Sequence, residues 1–169
     1  MDFVQTWQTR PPEGTPPLML ANSLTAALRA IDSTFSVRLL YLGAPENSPC
    51  LPLGLPSANH ALFVRDVALC LHGEPVVLAR SQCSADSANW RSILDCGNRP
   101  LGEKLFDGSL PLTRSPFEFA RLPVENQTEA LVRRSRFLWN QETLWLAECF
   151  LPALNPYLTD NPSPYSQTA

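Results

Sequence analysis

The stretch from Ala61 to Cys83, ALFVRDVALCLHGEPVVLARSQC, constrains the chain more than any other. Two apolar runs, Leu62 to Leu71 and Val76 to Ala79, flank His72-Gly73-Glu74-Pro75. That group holds the Gly and Pro that punctuate turns, so the pattern predicts a β-hairpin. With an even-numbered loop, either Gly73-Glu74 or all four residues, Val67 faces Arg80 and Arg65 faces Gln82. Side chains alternate faces along a strand, so Arg65 and Arg80 then lie diagonally adjacent on a face that is otherwise Val67, Leu69, Leu71, Val76 and Leu78. A guanidinium on an apolar face is costly unless an anion stands against it. The hairpin therefore calls for a protein carboxylate or a carboxylate-bearing ligand.

The rest of the chain punctuates itself around this hairpin. Residues 1–19 carry two Pro pairs and read as an extended arm with one short helical turn around Phe3 to Trp7. Leu20, Leu24, Ala27, Leu28 and Ile31 fall at helical spacing behind an N-cap at Asn22 or Ser23. Phe35 to Leu42 is β-rich and ends at Gly43; residues 44–60 hold four prolines and predict an irregular connection with few polar handles. After the hairpin come a helix from Ser84 or Asp86 to Asp95 with Gly97 as its stop, and a short helix opened by Pro100 that runs to Phe106. A strand over Phe117 to Leu122 precedes a second hairpin, Val132 to Trp139 and Leu144 to Leu151, across Asn140-Gln141. Residues 158–169 read as a flexible tail. Strands arriving as hairpins, with helices bunched before and between them, predict an α+β fold on an antiparallel sheet, in one domain over 1–157.

Composition narrows the function. At 44% hydrophobic and 17% charged residues the chain suits a packed core, and a net charge of −3 offers no general field for nucleic acid or anionic membrane. The local basic cluster Arg133, Arg134 and Arg136 is a weak patch. Five cysteines without CxxC spacing, and no leader pattern in the first thirty residues, predict reduced thiols in a cytoplasm. No run reaches the length of a membrane span, so a soluble chain is expected. His60 and His72 lack partners at ligand spacing and read as loop residues, so no metal is expected. Arg99 and Arg114 read either as added positive potential at a pocket mouth or as solvated surface.

Glu148 is the anomaly of the second hairpin. It shares a face with Leu144, Leu146 and Phe150, and an Asn140-Gln141 loop places Arg133 opposite it. Two readings stand at this point: a structural ion pair, or an acid facing a pocket.

Taken together, LHGEPVVLARSQC, RPLGEKLF at 99–106, LTR at 112–114, RRSRF at 133–137 and LAECFLPA at 146–153 resemble the chorismate lyase family, in order and in spacing. The likeness extends back to SLTAALR at 23–29 and covers residues 20–157, leaving 1–19 poorly matched. What the resemblance implies is a single antiparallel sheet of about six strands, helices packed on one side, and helical flaps over a buried ligand. It implies cleavage of chorismate to 4-hydroxybenzoate and pyruvate towards ubiquinone, with no cofactor. Carried over residue by residue, Arg65 binds the aromatic carboxylate, Glu148 meets the ring hydroxyl, and Leu24 and Leu101 offer backbone amides. Arg80 is a second arginine near the site, expected to stabilise the departing enolpyruvate. The resemblance thus favours the pocket-facing reading of Glu148. Leu24 stands where the family pattern carries Met, and Ala79 where it carries Gly. A monomer is expected, because the one strongly patterned surface is the pocket. The rival readings are a small-acid sensor and a 4-hydroxybenzoate carrier on the same fold; too few residues precede the first helix for a DNA-binding module.

Overall fold

The computed structural model describes residues 6–124 and 129–159. Seven strands form one antiparallel sheet: β1 (Ser36–Gly43), β2 (Leu62–Leu71), β3 (Glu74–Ser84), β4 (Thr113–Arg114), β5 (Glu118–Pro123), β6 (Glu129–Trp139) and β7 (Glu142–Phe150). Their order is β1-β2-β3-β7-β6-β4, with β5 also paired to β6. Among the described residues four α-helices accompany the sheet: α1 (Leu24–Ile31), α2 (Ala88–Leu94), α3 (Leu101–Phe106) and α4 (Asn155–Thr159). The α+β class and the antiparallel sheet are as the sequence predicts, with the two-residue β4 as the strand beyond the six expected. The helical turn expected around Phe3 to Trp7 falls largely outside the described residues, as do 160–169 of the expected tail.

The hairpin registers decide which side chains meet. In β6–β7 the turn is Asn140-Gln141, both at positive φ (49° and 65°), and Arg133 stands opposite Glu148. That register is the one read from the sequence. The β2–β3 register is not. Its turn is His72-Gly73, at φ 50° and 74°, the mirror-image conformation that suits the strand twist. Pro75 pairs Cys70 while Val77 pairs Leu69, so Val76 is an inserted residue. Proline lacks an N–H for the ladder, and a bulge accommodates it. The bulge moves every later pairing: Arg65 faces Ser81, Val67 faces Ala79, and Arg80 faces Asp66. Arg65 and Arg80 therefore lie on opposite faces, which corrects the expectation that they share one.

The two faces are covered differently. On the face of Arg65 and Glu148, α1 and the Leu154 turn pack over Val67, Leu69, Val77, Ala79 and Phe150, while α2 and α3 pack Trp90, Leu94, Leu101 and Leu105 on Cys83, Phe137 and Leu144. On the opposite face the proline-rich connection lays Leu53 and Leu55 on Val132, Ala147 and Cys149, and none of these helices packs there among the described residues. Contrary to its apolar reading, that connection is fixed by polar contacts. Ser48 Oγ donates to Asp66 Oδ2 (2.6 Å), Gln82 Nε2 to the Pro56 carbonyl (2.8 Å), and Arg134 Nη1 to the Gly54 carbonyl (2.9 Å). The described part of the N-terminal arm exchanges two backbone hydrogen bonds between Gln8 and Phe119.

Candidate active site

A cavity of about 40 Å³ lies between the sheet and the helices α1 and α3. Its floor comes from three central strands: Arg65, Val67 and Leu69 of β2, Ala79 and Ser81 of β3, and Leu146 and Glu148 of β7. Its roof comes from Leu24 and Thr25 at the start of α1 and from Pro100, Leu101, Gly102 and Leu105 of the α3 segment. At about 10–15 Å³ per water such a space admits only a few waters.

Arg65 is 2% exposed and has no carboxylate partner. Its Nη2 donates to the carbonyls of Gly97 (3.1 Å) and Arg99 (2.8 Å), which hold the chain leading into α3, and its Nε is buried with no acceptor among the described residues. Burial pushes this guanidinium below its ordinary pKa. A buried cation with a spare donor is a built receptor for an anion.

Two strands away, Glu148 faces the same cavity. Adjacent strands are about 4.8 Å apart, so β2 and β7 are separated by roughly 10 Å, a span suited to one substituted ring between the two side chains. Arg133 Nε donates to Glu148 Oε1 at 2.8 Å, and Arg133 Nη1 reaches back to the carbonyls of Met19 (3.0 Å) and Ala21 (2.7 Å). Both sequence readings of Glu148 thus hold together: it is ion-paired and it lines the cavity.

Arg80 is elsewhere. Its Nε and Nη2 grip Asp66 Oδ1 and Oδ2 at 2.7 and 2.9 Å on the opposite face, where both side chains are almost fully buried. Arg80 therefore does not line this cavity: the Val76 bulge turns it to the opposite face. Leu24 and Leu101 are brought to the cavity as expected, each in the first turn of its helix, where N–H groups have no carbonyl four residues back.

Arg114, which the sequence left between pocket and surface, lines the cavity. Its Nε donates to Ser135 Oγ (3.0 Å) and its Nη1 to the Asn22 carbonyl (2.6 Å), while the rings of Phe106, Phe117 and Phe137 stand 5.2, 4.3 and 4.8 Å from its guanidinium carbon. Burial pushes its pKa down to about 10, with Glu148 opposing and Arg133 reinforcing the shift, so it remains a cation at neutral pH. The LTR triplet was the available signal, but the three phenylalanines that cage it are scattered over 106–137.

His72 caps the hairpin turn with Nε2 2.8 Å from Asp32 Oδ2, and burial pushes the Cys83 and Cys149 thiols up to about 11, away from thiolate chemistry.

Comparison with known proteins bears on this geometry. A profile of the family described as "Chorismate lyase" matches residues 6–158. "Probable chorismate pyruvate-lyase 1" of Pseudomonas fluorescens is 34% identical, over 90% of this chain and 92% of that protein. "Probable chorismate pyruvate-lyase" of Pseudomonas putida is 41% identical over 78% and 76%, and that of Shewanella sp. MR-4 is 34% identical over 80% and 77%. Among solved structures, the C-terminal domain of the histidine utilization repressor from Pseudomonas syringae superposes with a TM-score of 0.48 at 13% identity, over 70% of this chain and 92% of that one. That likeness is too loose to bear on activity.

Proposed function

This chain belongs to the chorismate lyase family, and from that premise we infer that it cleaves chorismate to 4-hydroxybenzoate and pyruvate in the cavity beneath α1 and α3. The observation that carries the reading is the pairing of a buried, carboxylate-free Arg65 with an ion-paired Glu148 across one apolar slot. A planar acid with a carboxylate at one end and a hydroxyl at the other satisfies both.

The ring carboxylate lies on the Arg65 fork, whose two N–H groups fix orientation as well as charge. The C4 hydroxyl donates to Glu148, which Arg133 holds in place. The first-turn amides of Leu24 and Leu101 add donors from the roof. In the reaction the C3–O ether bond breaks with its electron pair leaving on the enolpyruvate oxygen. The C4–H pair becomes the C3–C4 double bond, and the C4 proton ends on the methylene carbon of the departing fragment. Atoms balance as 4-hydroxybenzoate and pyruvate without water or oxidant. Aromatisation drives the step, so the protein contributes positioning and charge stabilisation.

The product supplies the ubiquinone ring, and five free cysteines fit a reducing cytoplasm. We read the active form as a monomer, since one chain supplies both ends of the slot.

The direct test adds chorismate to the purified protein in chelator and follows 4-hydroxybenzoate by absorbance and pyruvate by a coupled assay. Equal amounts of both, with the rate suppressed by added 4-hydroxybenzoate, are expected. Saturable binding of the aromatic acid without turnover would instead leave a sensor or carrier. Glu148→Gln is expected to lower kcat about 100-fold while weakening 4-hydroxybenzoate binding less than about tenfold, as fits a group that matters most as the ring aromatises. Equal losses in both would remove that role.

Product release is expected to be slow, because the ligand leaves only when the roof opens. Gly102 sets how tightly the roof closes: a Cβ there would stand 3.0 Å from Thr25 Oγ1 and 3.4 Å from Thr25 Cβ, wedging α3 from α1. Gly102→Ala is expected to speed 4-hydroxybenzoate dissociation about tenfold, equivalent to about 1.4 kcal/mol. Stopped-flow displacement measures it, and an unchanged off-rate would show that the α1–α3 contact does not gate release.

A further inference from the structure

Two cations at the cavity have no carboxylate of their own. Arg133 and Glu148 neutralise each other, whereas Arg65 and Arg114 enter no ion pair among the described residues. Chorismate, the substrate inferred above, carries two carboxylates, one on ring carbon C1 and one on the enolpyruvyl ether at C3, beside the hydroxyl-bearing C4. With C1 directed to Arg65 and the C4 hydroxyl to Glu148, the C3 ether leaves the Glu148 half of the ring, to the side of the C1–C4 axis. The strand order β2-β3-β7-β6-β4 has Arg65 on β2, Glu148 on β7 and Arg114 on β4.

We propose that Arg114 binds the enolpyruvyl carboxylate and receives the negative charge that moves onto the ether oxygen as the C3–O bond breaks. The assignment rests on the chorismate lyase reading and deepens it, giving Arg114 the part that the sequence suggested for Arg80. The guanidinium is preorganised: Phe106, Phe117 and Phe137 hold it, and Ser135 and the Asn22 carbonyl take Nε and Nη1. Its Nη2 has no protein acceptor among the described residues and is available to an anion. A cation fixed before the reaction needs no reorganisation when charge develops beside it. Arg114 also borders an outer groove that carries Arg136, so a second cation stands on this side of the cavity.

The test separates the two carboxylates. The probe 3-(carboxymethoxy)-4-hydroxybenzoate carries a second carboxylate on an ether at C3, and its carboxamide is the neutral isostere. In the unaltered protein the acid is expected to bind about 30-fold or more tighter than the amide, by titration calorimetry. In Arg114→Gln that preference is expected to fall to about threefold or less, with 4-hydroxybenzoate affinity within about threefold of the unaltered protein and Arg114→Lys recovering part of the preference. Equal binding of acid and amide by the unaltered protein overturns the assignment without recourse to any variant. A parallel loss of 4-hydroxybenzoate and the dicarboxylate in Arg114→Gln also overturns it, since Arg114 would then only secure the Asn22 segment. A protein that neither binds 4-hydroxybenzoate nor converts chorismate overturns the parent reading of the whole cavity, a result distinct from either.

Discussion

Arg65→Met is expected to weaken 4-hydroxybenzoate binding roughly 30- to 3,000-fold, from the loss of about 2–5 kcal/mol when one partner of a buried charged pair is removed. The same substitution is expected to leave the free protein about as stable as before. Two opposed effects meet at this side chain. Removing a cation that is 2% exposed and lacks a counter-charge relieves its desolvation. Against that, the carbonyls of Gly97 and Arg99 lose their donor, at about 1 kcal/mol each. The two tests are read in one thermal titration. Product at about 100 times its Kd stabilises the unaltered protein by about 2.7 kcal/mol and raises its midpoint roughly 5–11 °C. Arg65→Met should show nearly the unliganded midpoint and a ligand-dependent rise of at most about 3 °C. A variant that still responds to 4-hydroxybenzoate as the unaltered protein does would take Arg65 out of the site.

On the other side of the sheet the signs reverse. Asp66→Ala strips the carboxylate from Arg80, whose side chain is 4% exposed, and leaves an uncompensated charge beneath the 44–60 connection. A loss of about 3–5 kcal/mol is expected, or roughly 6–20 °C in midpoint for a chain of this size. Ser48 Oγ loses its acceptor too, so the proline-rich connection loosens with it. The paired replacement Asp66→Leu with Arg80→Met removes both charges and should recover most of the loss, because well-packed apolar residues can replace a buried ion pair. Denaturant unfolding of the three proteins measures this. If the single variant stays within about 1 kcal/mol of the unaltered protein, the pair is not the buried anchor that its geometry indicates.

These two arginines also mark where the sequence was legible and where it was not. The second hairpin could be read because two-residue turns leave one register, so Arg133 opposite Glu148 followed from counting. In the first hairpin the same counting failed at Pro75, where a missing N–H is absorbed by one extra residue, Val76. A one-residue slip exchanges the faces of everything beyond it, and Arg80 went with it. Hydrophobic pattern did not reveal the slip, since Val76 and Val77 are both buried. Leu24 and Leu101 were legible because cap and proline signals locate helix starts. Arg114 was not, because it lies on a strand of two residues and its surroundings are assembled from three distant segments.

The carbonyls that Arg65 holds have a last consequence. A carboxylate approaching this guanidinium side-on takes Nε together with Nη2, and Nη2 is the atom already engaged by Gly97 and Arg99. Guest and lid therefore compete for one donor. For the carboxylate proposed to bind here, arrival would loosen the hold on the segment leading into α3 and departure would restore it, so occupancy and closure are antagonists at this residue. The bolt on the segment leading into α3 is drawn by the molecule that enters beneath it.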